Sequence, residues 1–354
     1  MNTEFTEKLN KVNSIEGFYA GTGIFITGSS GFVGKGLLEK LIRVCSRVAV
    51  IFILIRPKKH QTMEQRYKEI MDDPIFDDVK AKNPSALKKI RPVEGDISLP
   101  KLGLSQEDRN MLIENVNILF HVAATLNFKE PLNAAVNTNV KGTSSIIELC
   151  NELRRVISVI YVSTAYSNAN LPEIEEKVYS YGELKDTFVK YAIETPMDSL
   201  MWYPACAMVS NRYVYSILTL FLHTLPAFVM DIFLRVQGSK PRMMKISKYY
   251  DTMSTVTNYF STRQWSFKRD NVIDMMKEVK TLDDSDIVKL DLQDMDWDKY
   301  IATCVIGIKK FIFKEDLKSL DAARQRLSIF YWLHQTTKVF AIIILLTIIL
   351  RVVY

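Results

Sequence analysis

The segment Thr27-Gly-Ser-Ser-Gly-Phe-Val-Gly34 has the spacing T-G-x-x-G-x-x-G. Glycine serves where a backbone must turn sharply or be approached closely. The chain is sparing with it: 13 glycines in 354 residues, seven of them between positions 17 and 36. Between a strand and a helix, this spacing cradles the pyrophosphate of a dinucleotide. Gly28 permits the turn, Gly31 lets backbone N–H groups reach the phosphates, and Gly34 brings helix and strand together. Thr27, Ser30, Phe32 and Val33 complete the loop and the first helical turn. The end of the second strand then selects the cofactor: an acid binds the ribose hydroxyls of NAD, a base the 2′-phosphate of NADP. Here it reads Ile55-Arg56-Pro57-Lys58-Lys59 with no acid before Glu64, so Arg56 points to NADPH. Asp96 is expected beside the adenine, and Ala123 and Ala124 beneath the nicotinamide ribose. These last three roles follow from position on the fold, and each residue also suits ordinary loop chemistry.

Such a site needs a parallel sheet to hold it. Ile24–Thr27, Val48–Ile55, Ile90–Glu94, Val116–Val122 and Val156–Ser163 are short apolar runs rich in β-branched residues, as strands buried on both faces are. Between them, Val33–Cys45 and Glu130–Arg155 carry helical periodicity. The predicted class is α/β, a Rossmann-type doubly wound parallel sheet of about five strands, incomplete. An α-helical C-terminal domain and a hydrophobic tail helix follow. The expected domains are 1–195 for nucleotide binding, 196–335 helical, and 336–354 as the tail. Predicted helices of the second half include Pro172–Tyr191, Lys245–Met276 and Leu290–Lys314, with an apolar segment at Tyr213–Leu234.

Composition excludes several classes. Hydrophobic residues are 48%, enough for a full core. A net charge of +6 without a dense basic patch argues against nucleic acid as a partner. Cys45, Cys150, Cys206 and Cys304 lack metal-ligand or disulfide-framework spacing, and the four histidines are scattered, so no metal site is expected. The N-terminus lacks a secretory pattern. Val339–Leu350 is an apolar run broken only by Thr347. It is shorter than the ~20 residues of a full span and reads as an anchor, a membrane-dipping helix or a buried terminal helix. Arg324, Arg326 and Lys338 precede it, which puts the body of the protein in the cytosol.

Phe18-Tyr-Ala-Gly21 leading into IFITGSSGFVGK, then HVAATLNF, NVKGT and YVSTAYSN, resemble the alcohol-forming fatty acyl-CoA reductases of animals, which are extended short-chain dehydrogenase/reductases. WYPACAMVSNRYVYSILTLFLHTLPAFVMDIFLRVQG, NYFSTRQWSF, VIGIKKFIFKED and YWLH resemble that family's C-terminal block, so the likeness covers nearly the whole chain. It implies reduction of a long-chain acyl-CoA thioester by NADPH in two hydride steps to a fatty alcohol. It also implies a protein at the peroxisomal or endoplasmic reticulum membrane. Gly28, Gly31 and Gly34 then match cofactor phosphate binding. Thr164 or Ser163 matches the hydroxyl that bonds the substrate carbonyl, and Asn139 a helix asparagine that orders a water in the proton relay.

One part of the family pattern is missing. The family's proton donor is the Tyr of a Y-x-x-x-K pair, in a segment reading like NTYTYTKALAE well after STAYSN. No such segment stands between Tyr179 and Trp202, as if an internal block had been removed. Tyr181-Gly-Glu-Leu-Lys185 is itself Y-x-x-x-K, 17 residues after Thr164. Four apart, Tyr and Lys share a helix face. The ammonium can lower the phenol pKa for proton transfer, or the pair can belong to a surface helix. Three readings follow: an NADPH-dependent acyl-CoA reductase, an inactive isoform that binds only nucleotide or membrane, and a reductase of a small carbonyl using Tyr181 and Lys185.

Overall fold

The β-branched runs form a sheet because each strand has apolar residues for both of its faces. In β1 (Gly23–Thr27) all five residues are buried. Ile24 and Ile26 face one core with Leu38, Leu41 and Ile42 of the Phe32–Val44 helix. Phe25 faces the other with Leu112, Ile146 and Leu149. A computed structural model describes residues 13–58, 60–164, 181–199, 203–204, 212–261, 270–288 and 295–353. With β2 (Val50–Ile55), β3 (Ile90–Glu94), β4 (Ile118–His121) and β5 (Ser158–Tyr161), β1 makes a five-stranded sheet in the order β3-β2-β1-β4-β5. All four pairings are parallel. The expected α/β class and strand number stand. β3 spans its expected run and β1 exceeds its own by Gly23, whereas β2, β4 and β5 are shorter than their apolar runs, with Val48, Val116 and Val122 packed outside the ladder.

The predicted helix Glu130–Arg155 is realised as three joined pieces, Leu132–Val136, a π turn at Asn137–Lys141 and Gly142–Glu152. A 3-10 helix, Pro84–Lys89, leads directly into β3. Over the predicted helix Lys245–Met276 the described residues form the helices Met243–Ser261 and Asp270–Lys280.

The chain separates into two compact units, Met1–Asn170 with Arg269–Asp291, and Leu171–Lys268 with Leu292–Tyr354. Late residues thus complete the unit that holds the sheet. The Asp284 carboxylate accepts the N–H groups of Ile15 (2.7 Å) and Glu16 (2.9 Å), at the start of the Ile15–Tyr19 helix. Burial opposes that charge, but the two N–H donors bring its pKa below the usual carboxylate range. Lys40 reaches the Ile287 carbonyl in the same region.

The second unit is helical. Arg212–Thr219, a π turn at Leu220–Thr224 and Leu225–Val236 run on as one apolar helix with Tyr213, Phe228, Phe233 and Val236 exposed. Asp231 is buried and accepts N–H bonds from Arg242, Met243 and Met244 at the head of the next helix, at 2.8, 2.8 and 2.9 Å. The hydrophobic tail closes the 34-residue helix Leu320–Val353.

Lys309 is wholly buried in this unit. Its ammonium bonds the Pro196 carbonyl (3.0 Å), Asp198 (3.1 Å) and Glu315 (3.1 Å). Glu315 also accepts the N–H groups of Asp198 (2.6 Å) and Ser199 (2.8 Å). Burial raises the Glu315 pKa, but the bonds from Ser199, Asp198 and Lys309 outweigh it and hold the carboxyl at about 2. Removing the cation strands two carboxylates, so Lys309→Ala is expected to cost about 3–5 kcal/mol, read as a drop in denaturant midpoint. Because the folded pKa lies below the unfolded one, the Glu315 contribution is complete above about pH 5. It is lost as pH falls through about 2, and Glu315→Gln should flatten the acid limb of a stability–pH curve.

Candidate dinucleotide site

The strand order reverses between β1 and β4, where an open parallel sheet leaves a crevice at its C-terminal end. In the register of these two strands Thr27 lies opposite His121. Gly28 follows with φ +75°, and an added Cβ would stand 2.7–2.8 Å from the backbone of Val122 and Ala123. At Gly34 it would stand 2.1 Å from the Gly28 carbonyl oxygen. Both glycines are therefore required by backbone contact. Gly31 is the N-cap of the Phe32–Val44 helix and offers no side chain to its first N–H groups. These free donors and the positive end of the helix dipole suit an anionic group. Ser29 is fully buried, and among the described residues its Oγ has no partner. Ser30 is exposed, as are Phe32 (94%) and Val33 beside it.

A second cluster sits at the end of β2. The Arg56 Nε is 4.0 Å from Asp96 Oδ2, and the Arg56 side chain is largely exposed. Asp96 is held in turn by Ser98, which donates its N–H at 2.9 Å and its hydroxyl at 2.8 Å to Oδ1. Arg66 is buried behind Arg56 and donates to the Arg56 carbonyl. Burial first, and the neighbouring Arg56 second, push the Arg66 pKa down. Its Nε has no partner among the described residues. Two guanidiniums, opposed by Asp96 at Arg56 and by Glu69 near Arg66, make this corner suited to a phosphate.

A third group closes the crevice. The Thr27 hydroxyl receives the N–H groups of Val122 and Ala123 at 3.2 Å each and lies 2.8 Å from His121 Nδ1. Asn139, on the π turn, clamps Thr125, its Oδ1 accepting the Thr125 N–H (2.8 Å) and its Nδ2 donating to the Thr125 carbonyl (3.2 Å). Ala123 is half-buried and Ala124 exposed beside this clamp. His121 is buried, stacks on Tyr161 at 5.3 Å, and has its pKa lowered by burial.

The structure thus joins Thr27, Gly28, Ala123 and Asn139 in one network, and Arg56 with Asp96 in another. Ser163 and Thr164 follow β5 and are exposed. Tyr181 and Lys185 lie on the Tyr181–Glu194 helix, which is grouped with the second unit; their side chains are outside the described residues. Sequence reasoning missed Arg66, His121 and Thr143. Only the apolar strand ending in His121 hinted at a polar group facing the crevice.

This fold and site define a dinucleotide-dependent α/β oxidoreductase. Two family models described as male sterility protein match the chain, the NAD-binding one at residues 26–220 and the sterile one at 222–315. Fatty acyl-CoA reductase wat of Drosophila melanogaster is 27% identical, covering 90% of this chain and 90% of its own. Fatty acyl-CoA reductase 1 of Mus musculus is 25% identical over 89% of each chain. The chain belongs to the male sterility protein family, that of the fatty acyl-CoA reductases, and its nucleotide unit is of the nicotinamide type. The Drosophila alignment runs over 467 residues, more than the 354 of this chain, so that relative carries residues without counterpart here.

The two glycine contacts make a paired test. Gly34→Ala should destabilise by about 1–3 kcal/mol or more through its clash with Gly28. Gly36→Ala, in the same helix with nothing within 4 Å of the new Cβ, should stabilise by about 0.5–1 kcal/mol. Thermal melts of both variants decide this; equal effects would show that the loop tolerates a side chain.

Proposed function

We propose that the chain binds NADPH along the C-terminal end of its sheet and acts on the thioester of a long-chain acyl-CoA. The observation carrying this reading is the uncapped helix start at Gly31, set against Gly28, with Arg56 and Arg66 at the end of β2. The residues fit the cofactor: Thr27, Gly28, Ser30, Gly31, Phe32, Val33 and Gly34 line the pyrophosphate, and Arg56 takes the 2′-phosphate. Asp96 lies toward the adenine, and Ala123 and Ala124 lie under the nicotinamide ribose. NADPH supplies a hydride when bound. Thr164 or Ser163 donates a hydroxyl hydrogen bond to the substrate carbonyl, stabilising the charge that develops on its oxygen. Asn139 holds the loop at Thr125 and orders the water of the relay. Tyr181, four residues before Lys185, is the candidate to pass the proton to that oxygen. The aligned length of the relatives favours a second reading, in which a chain without those residues binds nucleotide or membrane only and does not turn over.

The domains proposed are 1–195 for NADPH, 196–335 of the family's C-terminal type, and 336–354 as an anchor. Among the described residues one helix, Tyr213–Val236, is long and apolar enough to cross a membrane. The tail also exposes Val339, Phe340, Ile342, Ile343 and Leu350. Both support membrane association; a peroxisomal or endoplasmic reticulum membrane follows from the family resemblance, and a cytosolic body from Arg324, Arg326 and Lys338 ahead of the tail.

NADPH oxidation with a long-chain acyl-CoA tests the activity. Turnover lost in Tyr181→Phe assigns the proton to Tyr181; cofactor binding with no turnover in either protein leaves the second reading. Arg56→Ala should weaken NADPH about tenfold or more and leave NADH unchanged, since one charge-assisted contact is lost. For the anchor, Ile342→Glu with Ile343→Glu should reduce co-flotation of the full chain with phosphatidylcholine vesicles; unchanged flotation would remove the tail from the membrane.

A further inference from the structure

We infer that His121 is a positioning residue of the cofactor cradle, acting as an imidazole with its proton on Nε2. The assignment follows from counting protons. The Thr27 hydroxyl has one proton and two lone pairs. The Val122 and Ala123 N–H groups both point at its oxygen, at 3.2 Å. Its own proton is left for His121 Nδ1, 2.8 Å away. Nδ1 is then the acceptor, and the ring carries its hydrogen on Nε2, which faces Thr143 Oγ1 at 3.1 Å. Thr143 passes its own proton to the Asn139 carbonyl at 2.8 Å. The chain of bonds runs in one direction, from the backbone after β4 through Thr27 and the imidazole to the π turn.

Three pieces of the crevice are fixed by this ring. They are the exit of β1 before Gly28, the exit of β4 at Val122 and Ala123, and the turn carrying Asn139, whose carboxamide holds Thr125. His121 is 1% exposed and lies under Tyr161, so water cannot stand in for either ring nitrogen. An apolar ring would pack in the same volume. It would also leave the Thr27 and Thr143 hydroxyls partnered on one side only, so that the oxygen receiving the Val122 and Ala123 N–H groups, and the turn carrying Asn139, lose their common anchor. The reading rests on NADPH binding in this crevice.

The test uses the full chain, NADPH fluorescence titration and amide hydrogen exchange at Ala123 and Thr125. His121→Phe keeps the ring volume and loses both bonds, whereas His121→Asn keeps an acceptor near the Nδ1 position. His121→Phe should weaken NADPH about tenfold and speed exchange at both amides, and His121→Asn should recover part of each. If the two variants bind and exchange alike, or His121→Phe matches the parent protein, the ring only packs and the proposal fails. Should His121→Phe not fold, Thr143→Val cuts the far arm at constant shape. Faster exchange at Thr125 with Ala123 unchanged is then expected, and an unmoved Thr125 overturns the proposal. If the parent protein binds no NADPH, the cofactor reading is what fails, and the exchange pattern still decides the role of His121.

Discussion

The backbone of Gly28 lies against the backbone of Val122 and Ala123 with no room for a Cβ, and the rest of the nucleotide unit is arranged around that contact. It can form only if β1 and β4 are neighbours in the register that sets Thr27 opposite His121. That register sends Ile24 and Ile26 to one core and Phe25 to the other. It also dictates where the Phe32–Val44 helix must start, since Gly34 closes on the Gly28 carbonyl. The free N–H groups at that start are a by-product of packing as much as a device for binding: a helix forced so close to the turn has a glycine at its cap, and a glycine caps nothing.

Away from the crevice, carboxylates do much of the joining between distant segments. Asp284 holds the Ile15–Tyr19 helix, Asp231 holds the head of Met243–Ser261, and Glu315 holds Asp198 and Ser199. In each case the acceptor takes backbone N–H groups at a helix start or a bend, which no local carbonyl can satisfy. Lys309 adds the one wholly buried cation among the described residues and ties Pro196, Asp198 and Glu315 into a single knot.

Features carried by local pattern were legible in the sequence. The glycine spacing placed the turn and the helix, and the β-branched runs placed five strands in order. Arg56, read from the residues ending the second strand, and Asp96, read from its place after the third, stand 4.0 Å apart. What escaped depends on register or on distant contacts. His121 reads as one of four scattered histidines until β4 is laid beside β1. The π turn at Asn137–Lys141 leaves the apolar periodicity of its helix almost unchanged, so a single straight helix was predicted. Arg66 reads as a polar residue of an amphipathic helix, yet it is buried on the Arg56 carbonyl. Ile342 and its neighbours could be read as apolar, but apolarity alone does not say what they face.

The Asp284 clamp also has a temporal meaning. It joins residues 269 and 268 positions apart. During synthesis the ribosome releases all five strands long before Asp284 emerges, so for that interval the Ile15–Tyr19 helix has only its Ser14 cap, and the Ile15 and Glu16 N–H groups wait for their acceptor. A fragment ending after β5 would remain in that immature state, able to pair its strands but lacking the last fastener. The boundary that evolution or a molecular biologist could cut is therefore not where the sheet ends but where the chain finally returns to its own beginning.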